Sequence, residues 1–402
     1  MNNSEWARKF VCGVVACWMV FYTVGVGAQA LVVPPRVAAS SWLVMEYESG
    51  QVLAHSNADE KTDPASLAKI MTSYVVGQAI KSESLSVLDE VTVNRDAWAA
   101  ANPQLRGSSL MFLEPDSRVT VGDLNKGMVV QSGNDACIAL ADYIAGGQAA
   151  FVAVMNDYAN KLGLSNTRFK TVHGLEAAGQ FTTARDLAIL SRALIQDLPE
   201  EYALYKQREF AYKGIRQINR NRLLWSTGLT VDGLKTGYSK ASGFSLVSSA
   251  VVGDMRLIVV VLGAANDRAR FQESQKLLKW GARSFERRVA IGPDEVYASR
   301  RIWFGDTSTV RLNAADQGAI VVPYGLADDL HATAVLSQPV LTAPLEKGQV
   351  VGVIDFQIAG KSVAQTPLVV MDRVEEGGFL SRAWDYLLLK VLQGLGLCVS
   401  CT

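Results

Sequence analysis

Histidine is scarce in this chain of 402 residues: His55, His173 and His331 stand far apart. No H-E-x-x-H and no G-x-S-x-G accompanies them, which disfavours both zinc hydrolysis and a Ser-His-Asp hydrolase. No metal or other cofactor is expected. Cysteine is nearly as thin, with five residues. Cys12 and Cys17 fall in an N-terminal apolar run, and Cys137, Cys398 and Cys401 are too few for a disulfide-built scaffold. Cys398 and Cys401 form an isolated C-x-x-C without a second pair, which reads as a local disulfide or two idle thiols in preference to a zinc site. Net charge is also missing, since 39 basic side chains balance 39 acidic ones. No overall field draws a polyanion, and nucleic acid is excluded as a partner. Internal repeats and low-complexity tracts are absent as well. What the composition does supply is apolar residues, at 49%, enough for a well-packed core in two or three domains.

The two ends differ from the rest. Arg8 and Lys9 precede an apolar run from Phe10 to about Val26, followed by Ala28-Gln29-Ala30. This pattern predicts a secretory signal peptide over residues 1–30, with an uncleaved anchor as the alternative; either way the bulk of the chain is exported. At the other end, Glu375-Glu376-Gly377-Gly378 leads into Phe379 to Leu397, where apolar residues recur at helical spacing opposite Arg382, Asp385, Lys390 and Gln393. Residues 377–402 are expected to form an amphipathic helix lying on a membrane surface, with docking on the protein's own core as the alternative.

Between the ends, residues 31–288 alternate in character. A hairpin, Trp42 to Glu46 and Gln51 to His55, is followed by helices at Pro64 to Ile80, Val121 to Val130, Asp135 to Ala145, Ala149 to Leu162, Thr183 to Gln196 and Arg268 to Phe285. Strands at about Leu234 to Gly237, Gly243 to Val252 and Met255 to Gly263 precede the last helix, the final pair joined by Gly253-Asp254. An early hairpin and a late meander around central helices imply an α/β (α+β) sandwich, one antiparallel sheet covered by helices. Residues 289–376 carry recurrent β signals and read as a small β-sandwich, a spacer or docking module.

Three motifs carry chemistry. In Asp63-Pro64-Ala65-Ser66-Leu67-Ala68-Lys69, Asp63 is a natural N-cap and Pro64 suits the first helical position, which places Ser66 in the first turn. Lys69, three residues on, shares its face. A neutral amine there can take the hydroxyl proton, and burial or a neighbouring cation favours the neutral form. S-x-x-K alone is common by chance. It gains weight from Ser132-Gly133-Asn134, placed between two helices, and from Lys235-Thr236-Gly237 on a strand.

S-x-x-K, then S-x-N, then K-T-G resembles the signature of class A β-lactamases and penicillin-binding proteins. The flanks, as in Met128 to Ala136, are similar to low-molecular-weight D-alanyl-D-alanine carboxypeptidases, and the resemblance covers nearly the whole chain. It implies a five-stranded antiparallel sheet and an enzyme that removes the terminal D-alanine from peptidoglycan stem peptides, with β-lactams as covalent inhibitors. The implied location is the periplasmic face of the inner membrane. By the same resemblance Ser66 is the acylated nucleophile, Lys69 the general base and Ser132 the proton relay. Asn134 holds the substrate amide, while Lys235 lowers the Lys69 pKa and binds substrate. Thr236 and Gly237 belong to the carboxylate-binding strand, and Ser66 and Tyr238 supply the oxyanion amides. Arg220, in Asn219-Arg220-Asn221, and Arg270 support the carboxylate site or are ordinary structural arginines. Many relatives carry His where this chain has Tyr238, which puts a side-chain contribution to deacylation in doubt. His173, in Thr171 to Leu175, is expected to brace the cleft. The rivals are a cross-link endopeptidase, a non-hydrolytic β-lactam sensor and a β-lactamase. The last is disfavoured because no E-x-x-L-N lies between Asn134 and Lys235.

Overall fold

The computed structural model describes residues 32–289, 291–292, 295–315 and 319–394. The expected leader and the Cys398/Cys401 pair lie outside the described residues. The first domain opens with the expected hairpin, β1 (Ser41–Glu46) and β2 (Val52–Ser56). Its turn is held by the buried Glu46 carboxylate, which accepts from the amides of Glu48 (3.0 Å) and Ser49 (2.8 Å). A 3₁₀ turn at Ala65–Ala68 leads into α1 (Lys69–Lys81). After β3 (Glu90–Thr92) and β4 (Arg118–Thr120) come α2 (Val121–Lys126), α3 (Asn134–Ala145), α4 (Gln148–Lys161), α5 (Ala184–Asp197) and the short α6 (Pro199–Tyr202). A small hairpin, β5 (Glu209–Tyr212) and β6 (Ile215–Ile218), precedes the meander β7 (Thr230–Ser239), β8 (Gly243–Val252) and β9 (Met255–Ala264) and then α7 (Asp267–Ser284).

The hairpin and the meander join into one antiparallel five-stranded sheet in the order β2-β1-β9-β8-β7. Strand β9 is central and covered on both faces, and its two-residue period sorts its side chains between them. Leu257, Val259 and Val261 pack with Phe271, Leu277 and Leu278 of α7. Ile258, Val260 and Leu262 join the larger core with Leu67, Ile70 and Leu187 from the helical side. The α+β sandwich read from the sequence is the observed architecture.

Three local expectations change. Asp63 does not cap α1: Ala65 takes φ +47° and the Asp63 carboxylate turns back onto the Ala65 amide (3.3 Å), an Asx-type turn ahead of the helix. The helix expected from Val121 to Val130 is α2 followed by a π-helical turn, Gly127–Gln131, which delivers Ser132 in the left-handed region at φ +67°. Such π turns are concentrated at functional sites. The β5–β6 hairpin was not foreseen. Lys213 and Gly214 turn it with two positive φ angles, a type I′ connection made without the Asn-Gly pair that normally signals it.

Beyond α7 the chain forms a β domain: β10 (Phe285–Val289), β11 (Ala298–Trp303), β12 (Thr309–Ala314), β13 (Ala319–Pro323), β14 (Leu330–Leu336), β15 (Leu341–Thr342), β16 (Val350–Ile358) and β17 (Lys361–Val370). A six-stranded sheet and the β10–β13 ribbon share a core of Ile302, Leu312, Ile320, Val322, Phe356 and Leu368. The boundary expected after Arg288 moves to Phe285, because Phe285–Val289 pairs in full with β13. The β1–β2 turn clasps this domain through Gln51, whose amide nitrogen donates to the carbonyls of Val321 (3.0 Å) and Val363 (2.9 Å).

The chain then enters α8 (Phe379–Gly394). Asp385 ties it down, accepting from the Phe304 amide (2.7 Å) and from Arg301 (3.2 Å). Phe379, Leu380, Trp384, Leu387 and Val391 are all more than half exposed. Among the described residues no single helix is long and apolar enough to cross a membrane.

Candidate active site

Ser66 and Lys69 are held by the start of the first helix, and a distant loop fixes that start. At Gly174, with φ +84°, any Cβ would lie 1.8 Å from the Ala65 carbonyl oxygen, so only glycine permits the loop to close over the turn that presents Ser66. The same loop brings the His173 carbonyl to Lys69. The Lys69 ammonium nitrogen is 2.6 Å from that carbonyl, 2.6 Å from Asn134 Oδ1 and 3.3 Å from Ser66 Oγ. A neutral amine has two N–H groups and one lone pair. The two short contacts take both N–H groups, leaving the lone pair for the Ser66 hydroxyl.

Electrostatics bring that protonation state within reach. Lys69 is 1% exposed. Burial, with a further push from the Arg220 charge, brings its pKa down to about 8. Lys235 is also held well below its ordinary range, first by burial and then by Lys69, Arg220 and Arg270. Arg220 is thus a cation the sequence reading did not assign to Lys69, and it acts beside Lys235, since the two buried amines oppose each other's charge. His173 is buried with its ring neutral, its pKa pushed to about 3 by burial and by Lys69, and its Nδ1 accepts from the Leu175 amide (3.1 Å). Its main chain touches the chemistry and its side chain only shapes the loop.

The second motif is locked from below. Asp135 is buried and accepts from the amides of Met111 (2.8 Å), Leu113 (3.1 Å) and Ala136 (3.0 Å), pinning the 109–113 segment to the start of α3. Ser132, left-handed and buried, has a hydroxyl without any partner among the described residues. A buried polar group normally finds a partner; this one lines the cleft beside Ser66 and Asn134.

The third motif forms the opposite wall. Gly237 lets β7 approach the Ser66 turn, since a Cβ there would come within 3.0 Å of Leu67 and 3.3 Å of the Pro64 carbonyl. Thr236, Gly237 and Tyr238 line the cleft, whereas Lys235 lies beneath it. Tyr238 is 54% exposed, and its ring lies 4.4 Å from that of Phe244. Arg270 lines the cleft but points its donors at the strand, at the carbonyls of Gly237 (2.9 Å) and Ser245 (3.4 Å), with an ion pair to Asp267. It braces the wall. Arg220 makes no direct hydrogen bond among the described residues, while Asn219 and Asn221 fold its loop, Asn219 bonding the carbonyl of Gln207 (2.9 Å) and Asn221 that of Gly233 (3.0 Å).

All ten site residues read from the sequence converge on this cleft of about 1030 Å³ or on the layer directly beneath it. The sequence reading missed Arg106, Arg222 and Trp225, which complete the rim. Arg222 and Trp225 lie on a single 3₁₀ turn, Arg222–Trp225, and Arg106 in a loop, none within a motif. The cations around the cleft outnumber Asp267, its one acidic lining residue, and suit an anionic substrate group.

Comparison with known proteins gives two family matches: D-alanyl-D-alanine carboxypeptidase over residues 28–266, and penicillin-binding protein 5, C-terminal domain, over residues 285–376. The chain is 58% identical over 377 residues to the D-alanyl-D-alanine carboxypeptidase DacC of Escherichia coli (strain K12), covering 94% of each. It is 50% identical over 355 residues to DacA of the same organism, covering 88% of each. Among solved structures, penicillin binding protein 5 from Haemophilus influenzae aligns with a TM-score of 0.80 at 42% identity, covering 86% of this chain and 100% of that one.

Proposed function

The chain belongs to the D-alanyl-D-alanine carboxypeptidase family of serine peptidases and acts as a D-alanyl-D-alanine carboxypeptidase, and from that premise we propose that Ser66 is its nucleophile and Lys69 the base. Support comes from the buried Lys69 nitrogen, which donates to Asn134 Oδ1 and to the His173 carbonyl and lies 3.3 Å from Ser66 Oγ, so that in its neutral form the lone pair is left for the Ser66 hydroxyl. As Ser66 Oγ attacks the carbonyl of the penultimate D-alanine, its proton passes to Lys69 Nζ. The developing oxyanion is met by the amides of Ser66 and Tyr238. Ser132, with its free hydroxyl, relays the proton to the departing D-alanine nitrogen as the peptide bond breaks. The stem peptide is left as an ester on Ser66, which water hydrolyses to free acid and serine. Asn134 holds the substrate amide; Thr236 and Arg220 bind the terminal carboxylate, with Lys235 adding positive field and Arg270 holding the Gly237 wall. A β-lactam carbonyl presented to the same serine acylates it in the same way.

The test is D-alanine release from a monomeric stem pentapeptide, with a cross-linked dimer as the competing substrate. Release from the monomer at least about tenfold faster is expected; faster cleavage of the dimer would move the assignment to an endopeptidase. In the same assay Thr236→Val and Arg220→Gln raise KM more than they lower kcat, and unchanged KM in both would remove them from the carboxylate site.

Export and membrane attachment complete the proposal. The basic, apolar and small-residue succession of residues 1–30 is that of a cleaved leader, and the protein works at the periplasmic face of the inner membrane. The exposed apolar face of α8, Trp384 included, lies in the lipid interface. Removing residues 378–402 is expected to release the protein from sedimenting vesicles. Equal sedimentation of the truncated chain would contradict the anchor.

A further inference from the structure

Behind α1, away from Ser66, a second cavity of about 980 Å³ shares no lining residue with the catalytic cleft. Its walls come from the second half of α1, α2, the end of α5 and α6. Gly77 lets α6 close against α1, because a Cβ there would fall 2.8 Å from Leu198 Cδ1. Ile80, Leu88, Leu198 and Leu204 make one side apolar.

The inner end is polar and one-sided in its chemistry. Glu201 and Asn125 both line the cavity and are both buried. Glu201 accepts from the Ser73 hydroxyl and from Asn125 Nδ2 (2.6 Å), which uses the donors present. Asn125 Oδ1 is left without a partner among the described residues. What the pocket offers a visitor is therefore acceptors, and an orphaned buried acceptor is an unmet demand for a donor. The rim repeats the bias. Glu83 and Glu200 are exposed and carry no ion pair among the described residues. Lys126 pairs with Asp123 (3.4 Å) and Lys81 donates to the Asp197 carbonyl (3.0 Å), so five lining carboxylates face two ammonium groups.

We propose that this cavity binds a small primary ammonium compound with a short aliphatic body, its N–H groups meeting Asn125 Oδ1 and the Glu201 carboxylate and its carbons packing on Ile80, Leu88 and Leu198. Burial brings the Glu201 pKa up to about 7, and a bound cation holds the carboxylate ionised. The arginine-rimmed catalytic cleft repels the same compound. Volume and mixed lining are those of a small-molecule site.

Calorimetric titration of the full chain with hexylammonium chloride tests this, with 1-hexanol and hexanoate as controls of equal length. Saturable one-site binding is expected, at least about tenfold tighter than either control. Glu201→Gln keeps the shape and removes the charge, and should weaken it by about tenfold or more. Should that variant not fold, the exposed pair Glu83→Lys and Glu200→Lys must weaken binding by several-fold, while Ser66→Ala leaves it unchanged. Absence of saturable heat, equal binding of hexanol, or affinity untouched by the carboxylate variants would overturn the proposal.

Discussion

Ser66→Ala is expected to reduce D-alanine release by at least about 10⁴-fold and to abolish covalent labelling by a fluorescent penicillin, in line with the loss when an acyl-enzyme nucleophile is removed. The fold should survive, because the change deletes one hydroxyl whose recorded contact is the long 3.3 Å approach of Lys69. Thermal unfolding within a few degrees of wild type would show that the loss is chemical. Persistence of the penicillin label in the variant would move the nucleophile elsewhere.

Acylation by the wild type should rise with pH through about 8 and level off above it. The sign follows from the role: the reactive Lys69 is the neutral amine, so each pH unit below its pKa of about 8 removes about nine-tenths of the active form. Lys69→Met should lose acylation by about 10³-fold or more and, with it, the rise near pH 8. Arg220→Gln takes away one cation that acts on Lys69 and should shift the midpoint upward. Stopped-flow acylation by a chromogenic β-lactam between pH 6 and 10 reads all three. A wild-type profile that falls as pH rises through 8 would sink the assignment of Lys69 as base.

Much of this was legible in the chain. Gly243–Val252 reads as a strand from its turn residues and alternating apolar pattern, and the structure gives those same limits. The recurrent β signals after residue 289 correspond to β11 to β14, β16 and β17, whereas the two-residue β15 was not read. Less legible were the elements with weak local codes. The β5–β6 hairpin turns on Lys213-Gly214, and Phe285–Val289 reads as the tail of a helix until β13 is present to pair with it. The oxyanion turn at Ser66 was misread in detail, because Ala65 at φ +47° follows from the closeness of Gly174 and from nothing in its own segment.

The sequence by itself singled out the candidate residues and their order, since a serine and a lysine three apart share a helical face whatever surrounds them. It also determined the alternation that sorts β9 between two cores. Only the tertiary structure decided how those residues behave. The acceptors that occupy the Lys69 N–H groups come from 65 and 104 residues away. Burial lowers its pKa with a further push from the Arg220 charge, Arg270 donates to the carbonyls of Gly237 and Ser245, and the acceptor-lined cavity at Glu201 joins helices distant in sequence. Periodicity and motif are properties of neighbours along the chain, whereas burial, field and hydrogen-bond saturation belong to neighbours in space.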